Sequence, residues 1–119
     1  YAKGIAKMIV TSDASPIAGC KPGVYRVLGN RAVLRPDGLL HNPDKKCMVG
    51  SSFTMLECIN WLLKQQLLKP QELIQVGFTN PLKLLKMRAG CRKSDTVVKY
   101  DKKTNQFIIF EKGKRQHYE

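Results

Sequence analysis

Residues 7–19 read KMIVTSDASPIAG, and this stretch sets the expectation for the rest of the chain. Residues 8–11 are apolar or β-branched, which predicts a buried strand. Asp13 and a loop containing Pro and Gly follow, so the strand would present one carboxylate at its C-terminal end. Parallel α/β proteins carry out their chemistry at that end of their strands. The alternative is that Asp13 caps the following segment or closes an Asx turn.

The composition is that of one domain able to bury a core. The chain has 119 residues, of which 43% are hydrophobic, and no apolar run reaches the length of a membrane span. The N-terminus lacks a basic region followed by an apolar core and a cleavage site. We therefore expect a cytoplasmic protein with no membrane partner.

The metal-ligating side chains do not form a recognisable site. No two of the four cysteines have the close spacing of zinc ribbons and fingers, and His41 and His117 form no metal-binding pair. Without a secretory context, free thiols are expected rather than disulfides. The chain is therefore not expected to bind a metal ion by itself.

The charge is strongly basic, with 21 Lys and Arg against 9 Asp and Glu, or +12. Such an excess of positive charge makes nucleic acid a candidate partner, because neutralising its phosphates releases counterions and favours binding. The basic residues are interleaved with hydrophobic ones, which favours a solvated surface instead. The rival hypothesis is therefore a small basic, non-catalytic module that binds nucleic acid or a partner protein chain.

The C-terminal hairpin would carry that module. Its basic and aromatic residues are Lys102, Lys103, Lys112, Lys114, Arg115, Tyr100, Phe107, Phe110 and Tyr118. Exposed rings could stack on bases. Alternation along the strand instead places Phe107 on one face and Phe110 on the other, which favours burial on both sides and makes nucleic acid an unexpected partner.

The middle of the chain predicts a hairpin and then helices. Residues 24–28 and 31–34 flank Gly29-Asn30, which suits a two-residue type I′ or II′ turn. Residues 39–46 contain too many turn formers for regular structure. From Phe53 the apolar spacing becomes helical, and Thr54 with Glu57 has the spacing of a capping box.

Two further helices and a strand pair complete the prediction. Pro70 would begin the second helix at its first position, and Asn80-Pro81 would end that helix and begin a third. We expect Trp61 to join the packing of these helices. Residues 96–100 and 106–110 predict two strands around a polar turn, and a last strand would end at Tyr118.

Four motifs occur in an order that resembles a known family. They are Thr-x-Asp-Ala with Pro-x-Ala-Gly in residues 11–19, Gly-Ser-Ser-x-Thr-Met in residues 50–55, and Thr-Asn-Pro-x-Lys-Leu-Leu in residues 79–85. With the strand, hairpin, helix and strand pair around them, they resemble the C-terminal part of N-acetylglucosamine-6-phosphate deacetylases of the amidohydrolase superfamily. The resemblance runs from about residue 5 to residue 114.

The resemblance implies an α/β fold and a domain division. Residues 1–94 would be the C-terminal part of a (β/α)₈ barrel, comprising its last strand and helices, with a small hairpin insertion near 24–35. Residues 95–119 would return as strands to the accompanying β-sandwich.

The resemblance also implies site residues. Asp13 would be the general base that takes a proton from a metal-activated water, and then the acid that protonates the departing amine. Met48, Val49 and Gly50 would contact the amino-sugar phosphate substrate, and Gly50 would allow close backbone approach.

The family's divalent metal ligands lie upstream of the part that this chain resembles. We therefore expect the 119-residue chain alone to be inactive, and the metal to be a cofactor of a longer protein or of a pair of chains. A relic domain used for binding is the remaining interpretation. An isolated last barrel strand would expose both edges, so we also expect a homo-oligomer.

Overall fold

The computed structural model describes residues 4–87, 96–111 and 114–116 of a mixed α/β chain with two antiparallel sheets. Two compact units are present: residues 11–58 form one, and residues 1–10 with 59–119 form the other. The division predicted between residues 94 and 95 falls outside the described residues and stays a prediction.

The unit of residues 11–58 is built on a four-stranded antiparallel meander. Its strands are β1 (Gly23–Val27), β2 (Asn30–Leu34), β3 (Leu40–Asn42) and β4 (Cys47–Met48), hydrogen-bonded in that order. Strand alternation brings Val27, Ala32, Leu34 and Leu40 together as a buried cluster. The predicted hairpin is confirmed, while its being an insertion in a barrel stays a prediction.

The expectation that residues 39–46 are irregular is wrong, because they contain β3 and the connection to β4. The buried Asn42 accounts for the difference. Its Oδ1 accepts hydrogen bonds from the backbone N–H groups of Asp44 (2.9 Å) and Lys45 (3.0 Å). The turn formers therefore fold a tight connection between two strands.

The turn between β1 and β2 lies one residue earlier than predicted. Val27 pairs with Asn30, so the two central residues are Leu28 and Gly29, with φ of 47° and 79°. Positive φ at both positions is what a type I′ turn requires. The Asn30 Nδ2 group donates to the Leu28 carbonyl (3.1 Å). Asn30 thus stabilises the turn from the position that follows its two central residues.

Leu28→Asn is expected to raise the free energy of unfolding by about 0.5–1 kcal/mol, because Asn tolerates the left-handed conformation better than Leu. The Leu28 side chain is 90% exposed, so its removal costs little packing. Urea unfolding measures the change. Leu28→Ala is the matched control, since it removes the same apolar surface without the turn preference. Equal stabilities of the two variants would contradict the assignment of this turn.

The first long helix, α1 (Met55–Lys64), begins with the predicted capping box. The Glu57 carboxylate accepts a hydrogen bond from the Thr54 N–H (2.6 Å), and the Glu57 N–H donates to Thr54 Oγ1 (3.3 Å). The helix buries Ile59 and Leu63. The expectation for Trp61 is wrong: it is 60% exposed, because it lies roughly 200° around the helix from Ile59.

The other unit contains one continuous helical stretch. It comprises α2 (Pro70–Ile74), a π-helical turn (Gln75–Thr79) and α3 (Asn80–Leu84). Pro70 stands in the first turn as predicted. The predicted break at Asn80-Pro81 is wrong, because the π turn carries the helix through the proline. There the Asn80 N–H donates to the Gln75 carbonyl, five residues back.

The described C-terminal residues form a second antiparallel meander. Its strands are β5 (Thr96–Asp101), β6 (Gln106–Glu111) and β7 (Lys114–Gln116), in that order. The strands predicted at residues 96–100 and 106–110 are confirmed and a last strand follows, but its predicted end at Tyr118 lies outside the described residues. Asn60 of α1 binds both backbone groups of Phe107, donating to its carbonyl (3.0 Å) and accepting from its N–H (2.7 Å). This side chain joins α1 to the second sheet.

Across the part of the chain that the structure describes, we find no helix with the length and apolar character needed to cross a bilayer.

Candidate functional site

The segment before Asp13 is extended but is not a strand, so the prediction of a buried strand at residues 8–11 is wrong. A strand needs a neighbouring strand to take its backbone groups, and here the Val10 N–H donates to the Val76 carbonyl of the π turn (3.0 Å). Exposure still alternates along the segment, and Ile9 is 44% exposed. The segment thus keeps strand-like alternation without sheet pairing.

Asp13 presents its carboxylate to solvent. Its φ is 49°, and its N–H donates to Thr11 Oγ1 (3.3 Å), so the backbone turns sharply at this residue. Within the described ranges, no residue hydrogen-bonds to or forms an ion pair with the Asp13 carboxylate. Both oxygens can therefore accept a proton or a hydrogen bond.

A short parallel bridge between Ala14 and Ser51 joins two of the sequence motifs. The Ser51 N–H donates to the Asp13 carbonyl (2.7 Å), and the Ser15 N–H donates to the Ser51 carbonyl (2.8 Å). Residues 11–19 and 50–55 are therefore neighbours in space, although the four-stranded meander separates them in sequence. This contact defines the candidate site.

Gly50 makes the contact possible. Its φ is 78°, and a Cβ atom at this position would lie 2.8 Å from the Asp13 carbonyl oxygen and 3.4 Å from the Ser15 nitrogen. No larger residue fits without moving one of the two backbones. Gly50 therefore lies directly beside the loop that carries Asp13.

The other two predicted substrate residues are placed differently. The Val49 side chain packs against the buried cluster of the four-stranded sheet, and its N–H donates to the Leu40 carbonyl (3.3 Å). Met48 ends β4 and is 70% exposed. The site thus contains the Gly50 backbone beside Asp13, a Val49 side chain engaged in the core, and a free Met48 side chain.

The start of α1 is another candidate for a polar ligand, since helix N-termini attract anions. Here the Glu57 carboxylate already accepts hydrogen bonds from the Thr54 N–H and from Thr54 Oγ1 (both 2.6 Å). Ser51 Oγ accepts a further bond from the Phe53 N–H (2.9 Å). The helix start is thus satisfied by its own side chains, which favours a purely structural cap.

Metal and thiol chemistry are not organised in this part of the chain. The described ranges contain no group of three His, Cys, Asp or Glu side chains that could hold a metal ion. Cys20, Cys47 and Cys58 are free thiols, while Cys91 lies outside the described residues. Burial, followed by the charge of Glu57, raises the pKa of the Cys58 thiol.

The basic-module hypothesis finds little support in the second sheet. Phe107 is 3% exposed, and its ring packs at 5.4 Å from that of Tyr100. The Lys99 ammonium group lies 5.2 Å from the centre of the Phe110 ring. These rings are engaged within the protein rather than free to stack on bases, so the structure does not favour nucleic-acid binding. Lys112 and Tyr118 lie outside the described residues.

Solved structures identify the fold. A solved structure of an enzyme from Pasteurella multocida matches 93% of this chain, with a TM-score of 0.70 and 18% sequence identity. The chain has the fold of part of an N-acetylglucosamine-6-phosphate deacetylase. The deacetylase from Thermotoga maritima matches over 93% of this chain with a TM-score of 0.68 and 18% identity. A mutant deacetylase from Mycobacterium smegmatis, in complex with N-acetyl-D-glucosamine-6-phosphate, matches over 94% with a TM-score of 0.72 and 18% identity.

The deacetylase match confirms, for the fold, the resemblance noted from the motifs. This chain spans 31% of the length of each of the three deacetylases. No family model matches the sequence, and no curated protein matches it either.

Sequence reasoning missed two buried polar residues, one in each compact unit. Asn80 is 5% exposed and binds the backbone of residues 5 and 8, whereas the sequence predicted only that Asn80-Pro81 ends one helix and begins another. Ser15 is 8% exposed, and among the described residues its Oγ has no hydrogen-bond partner. A side chain's burial depends on distant elements, so no local pattern marked these residues.

Proposed function

We propose that this chain is part of a metal-dependent hydrolase that removes the acetyl group from N-acetylglucosamine 6-phosphate. The observation that carries the proposal is the exposed Asp13 carboxylate, which has no partner among the described residues, beside the Gly50–Ser51 backbone. The resemblance assigns the general base and a substrate contact to these two positions, and the deacetylase fold supports that assignment. The basic, non-catalytic module is not favoured.

Asp13 would act twice in the reaction. A water molecule attacks the acetyl carbonyl carbon, and the Asp13 carboxylate takes the proton that the water loses. The C–N bond then breaks as Asp13 gives that proton to the departing nitrogen, which yields an amine and acetic acid, and the acid ionises to acetate. A carboxylate with no competing partner among the described residues suits both transfers.

The divalent ion implied by the resemblance would supply Lewis-acid chemistry from residues outside the part described here. The described residues do not form a site for it. The 119-residue chain alone is accordingly proposed to be inactive, and a longer protein or a second chain is proposed to complete the site.

Exposed apolar side chains support the proposal that further protein packs against this chain. Ile9 is 44% exposed, Phe78 56%, Leu84 71% and Leu85 65%, all in the unit of residues 1–10 and 59–119. We propose that the rest of a (β/α)₈ barrel covers this surface and pairs with residues 7–12, which would form its last strand only in the complete barrel, and that β5–β7 belong to the accompanying β-sandwich. A cytoplasmic homo-oligomer is part of the same proposal.

Substrate selectivity tests the proposed function. The complete gene product, supplied with Mg²⁺, Mn²⁺ or Zn²⁺ in turn, is expected to release acetate from N-acetylglucosamine 6-phosphate. We expect a kcat/KM at least about tenfold lower for N-acetylglucosamine, because the phosphate contacts are lost. Equal kcat/KM values for the two sugars would contradict recognition of a sugar phosphate.

A further inference from the structure

Asn80 is a buried polar residue with an unusual pair of contacts. Its side chain is inside the protein at 5% exposure, in the helical stretch after the π turn. The Nδ2 group donates to the Ile5 carbonyl (2.8 Å) and to the Met8 carbonyl (2.7 Å), which are 75 and 72 residues away in sequence. One amide group thus binds two backbone carbonyls of the N-terminal segment, of which the Ile5 carbonyl also accepts a bond from the Met8 N–H (3.1 Å).

The geometry of Asn80 differs from that of a helix N-cap. An Asn that caps a helix has extended backbone angles and accepts a hydrogen bond from the first turn. Asn80 has φ −67° and ψ −43°, inside continuous helix, and its Oδ1 has no partner among the described residues. The amide therefore acts as a donor to residues 5 and 8.

A third hydrogen bond also joins the N-terminal segment to the helical stretch. The Val10 N–H donates to the Val76 carbonyl (3.0 Å), so backbone groups at residues 5, 8 and 10 are all held by the helical stretch of residues 70–84. Alternate side chains of an extended segment point to opposite sides, and a slip by one residue reverses all of them. Ile5 lies in a short 3₁₀ turn (Ile5–Lys7) that precedes the extended segment, so the bonds to Met8 and Val10 fix which side chains of the segment face inward.

We propose that Asn80 is a positioning residue for the hydrolysis. It sets the register of the extended segment whose chain continues, five residues after Met8, to Asp13. The proposal rests on the proposed function, because it assigns Asn80 an effect on the reaction that passes through Asp13. Asn80 itself does not touch the reacting atoms.

Asn80→Ala in the complete protein is expected to lower kcat by about 10–100-fold with little change in KM, since a misplacement of about 1 Å can cost about 10²-fold in rate. Asn80→Asp should lower kcat at least as much, because an ionised carboxylate has no hydrogen to donate to the two carbonyls. Steady-state kinetics on N-acetylglucosamine 6-phosphate measure both variants.

Asn60→Ala is the matched control. Asn60 also binds the backbone through two hydrogen bonds, but its partner is Phe107, so its loss leaves the attachment of residues 5–10 intact. We expect its kcat per folded molecule to stay within about twofold of the parent enzyme. A loss as large as that of Asn80→Ala would overturn the proposal, because general destabilisation would then explain both.

A double-mutant cycle separates positioning from stability. If Asn80 acts through Asp13, Asn80→Ala causes no further loss of kcat in the Asp13→Asn background. A full further loss in that background would overturn the proposal.

Hydrogen exchange tests the attachment independently of activity. The Val10 amide is expected to exchange at least about tenfold faster in Asn80→Ala than in the parent or in Asn60→Ala. An unchanged Val10 rate would overturn the role in register. If the parent protein releases no acetate, the proposed function fails, while the exchange result still shows whether Asn80 holds the segment.

Discussion

Asp13→Asn in the complete protein is expected to lower kcat by about 10²–10⁴-fold, the usual contribution of a general acid–base group. The substitution keeps the shape of the side chain but removes its ability to take and return a proton. KM should change little, because the proton transfers occur after the substrate is bound. Release of acetate from N-acetylglucosamine 6-phosphate is the measurement.

Asp37→Asn is the control for Asp13→Asn. Asp37 lies in the same compact unit and is exposed, but its carboxylate pairs with Arg35 (2.7 Å). An exposed pair contributes little to stability, so this variant should keep its activity. Loss of activity in Asp37→Asn together with retention in Asp13→Asn would reverse the assignment of the base.

Gly50→Ala is expected to lower the free energy of unfolding by about 2–4 kcal/mol, since the left-handed backbone costs about 1–2 kcal/mol and overpacking about 1–3 kcal/mol. The added Cβ would lie 2.8 Å from the Asp13 carbonyl oxygen. That oxygen is backbone and already accepts a bond from the Ser51 N–H, so it cannot move without breaking the bridge. Urea unfolding measures the change, and acetate release should fall with it.

Gly19→Ala isolates the steric part of this effect. Gly19 has a φ of 82°, similar to that of Gly50, but an added Cβ there would meet nothing within 4 Å. Its substitution should lower the free energy of unfolding by only the cost of the left-handed backbone, about 1–2 kcal/mol. If the two alanine variants lost equal stability, the close approach of Gly50 to Asp13 would not be a significant constraint.

Local chemistry predicted much of the fold. The Thr54–Glu57 capping box, Pro70 in the first turn of its helix, the hairpin near residues 24–35 and the C-terminal strands all follow from short-range rules. The shift of the turn to Leu28-Gly29 has a local cause as well. The Asn30 side chain can hydrogen-bond to the turn from a flanking position, or Asn30 can occupy the turn centre itself. The sequence pattern alone does not show which of the two arrangements forms.

The errors involve partners that are distant in sequence. Residues 8–11 have a strand-like pattern, but their backbone pairs with a helical turn near Val76. Pro81 was expected to break the helix, but a π turn accommodates it. Trp61 was expected to join the packing of the helices, yet its position on α1 leaves it exposed. Pairing, helix geometry and burial each depend on tertiary neighbours.

The candidate site was predicted by resemblance rather than by local pattern. Neither the residues around Asp13 nor those around Gly50 specify that the two loops meet; on pattern alone, an Asx turn and a capped helix start were adequate explanations. The structure brings the loops together through the Ala14–Ser51 bridge. The contacts of Asn80 could not be seen from sequence, because its partners are 72 and 75 residues away.

The most direct test is a side-by-side assay of acetate release from N-acetylglucosamine 6-phosphate by the complete gene product and by the 119-residue chain alone, each supplied with divalent metal ions. We expect that the complete product releases acetate and that the chain alone releases none, because the described residues include the proposed general base, Asp13, but form no metal site. Release by the chain alone, or no release by the complete product with any of the ions, would contradict it.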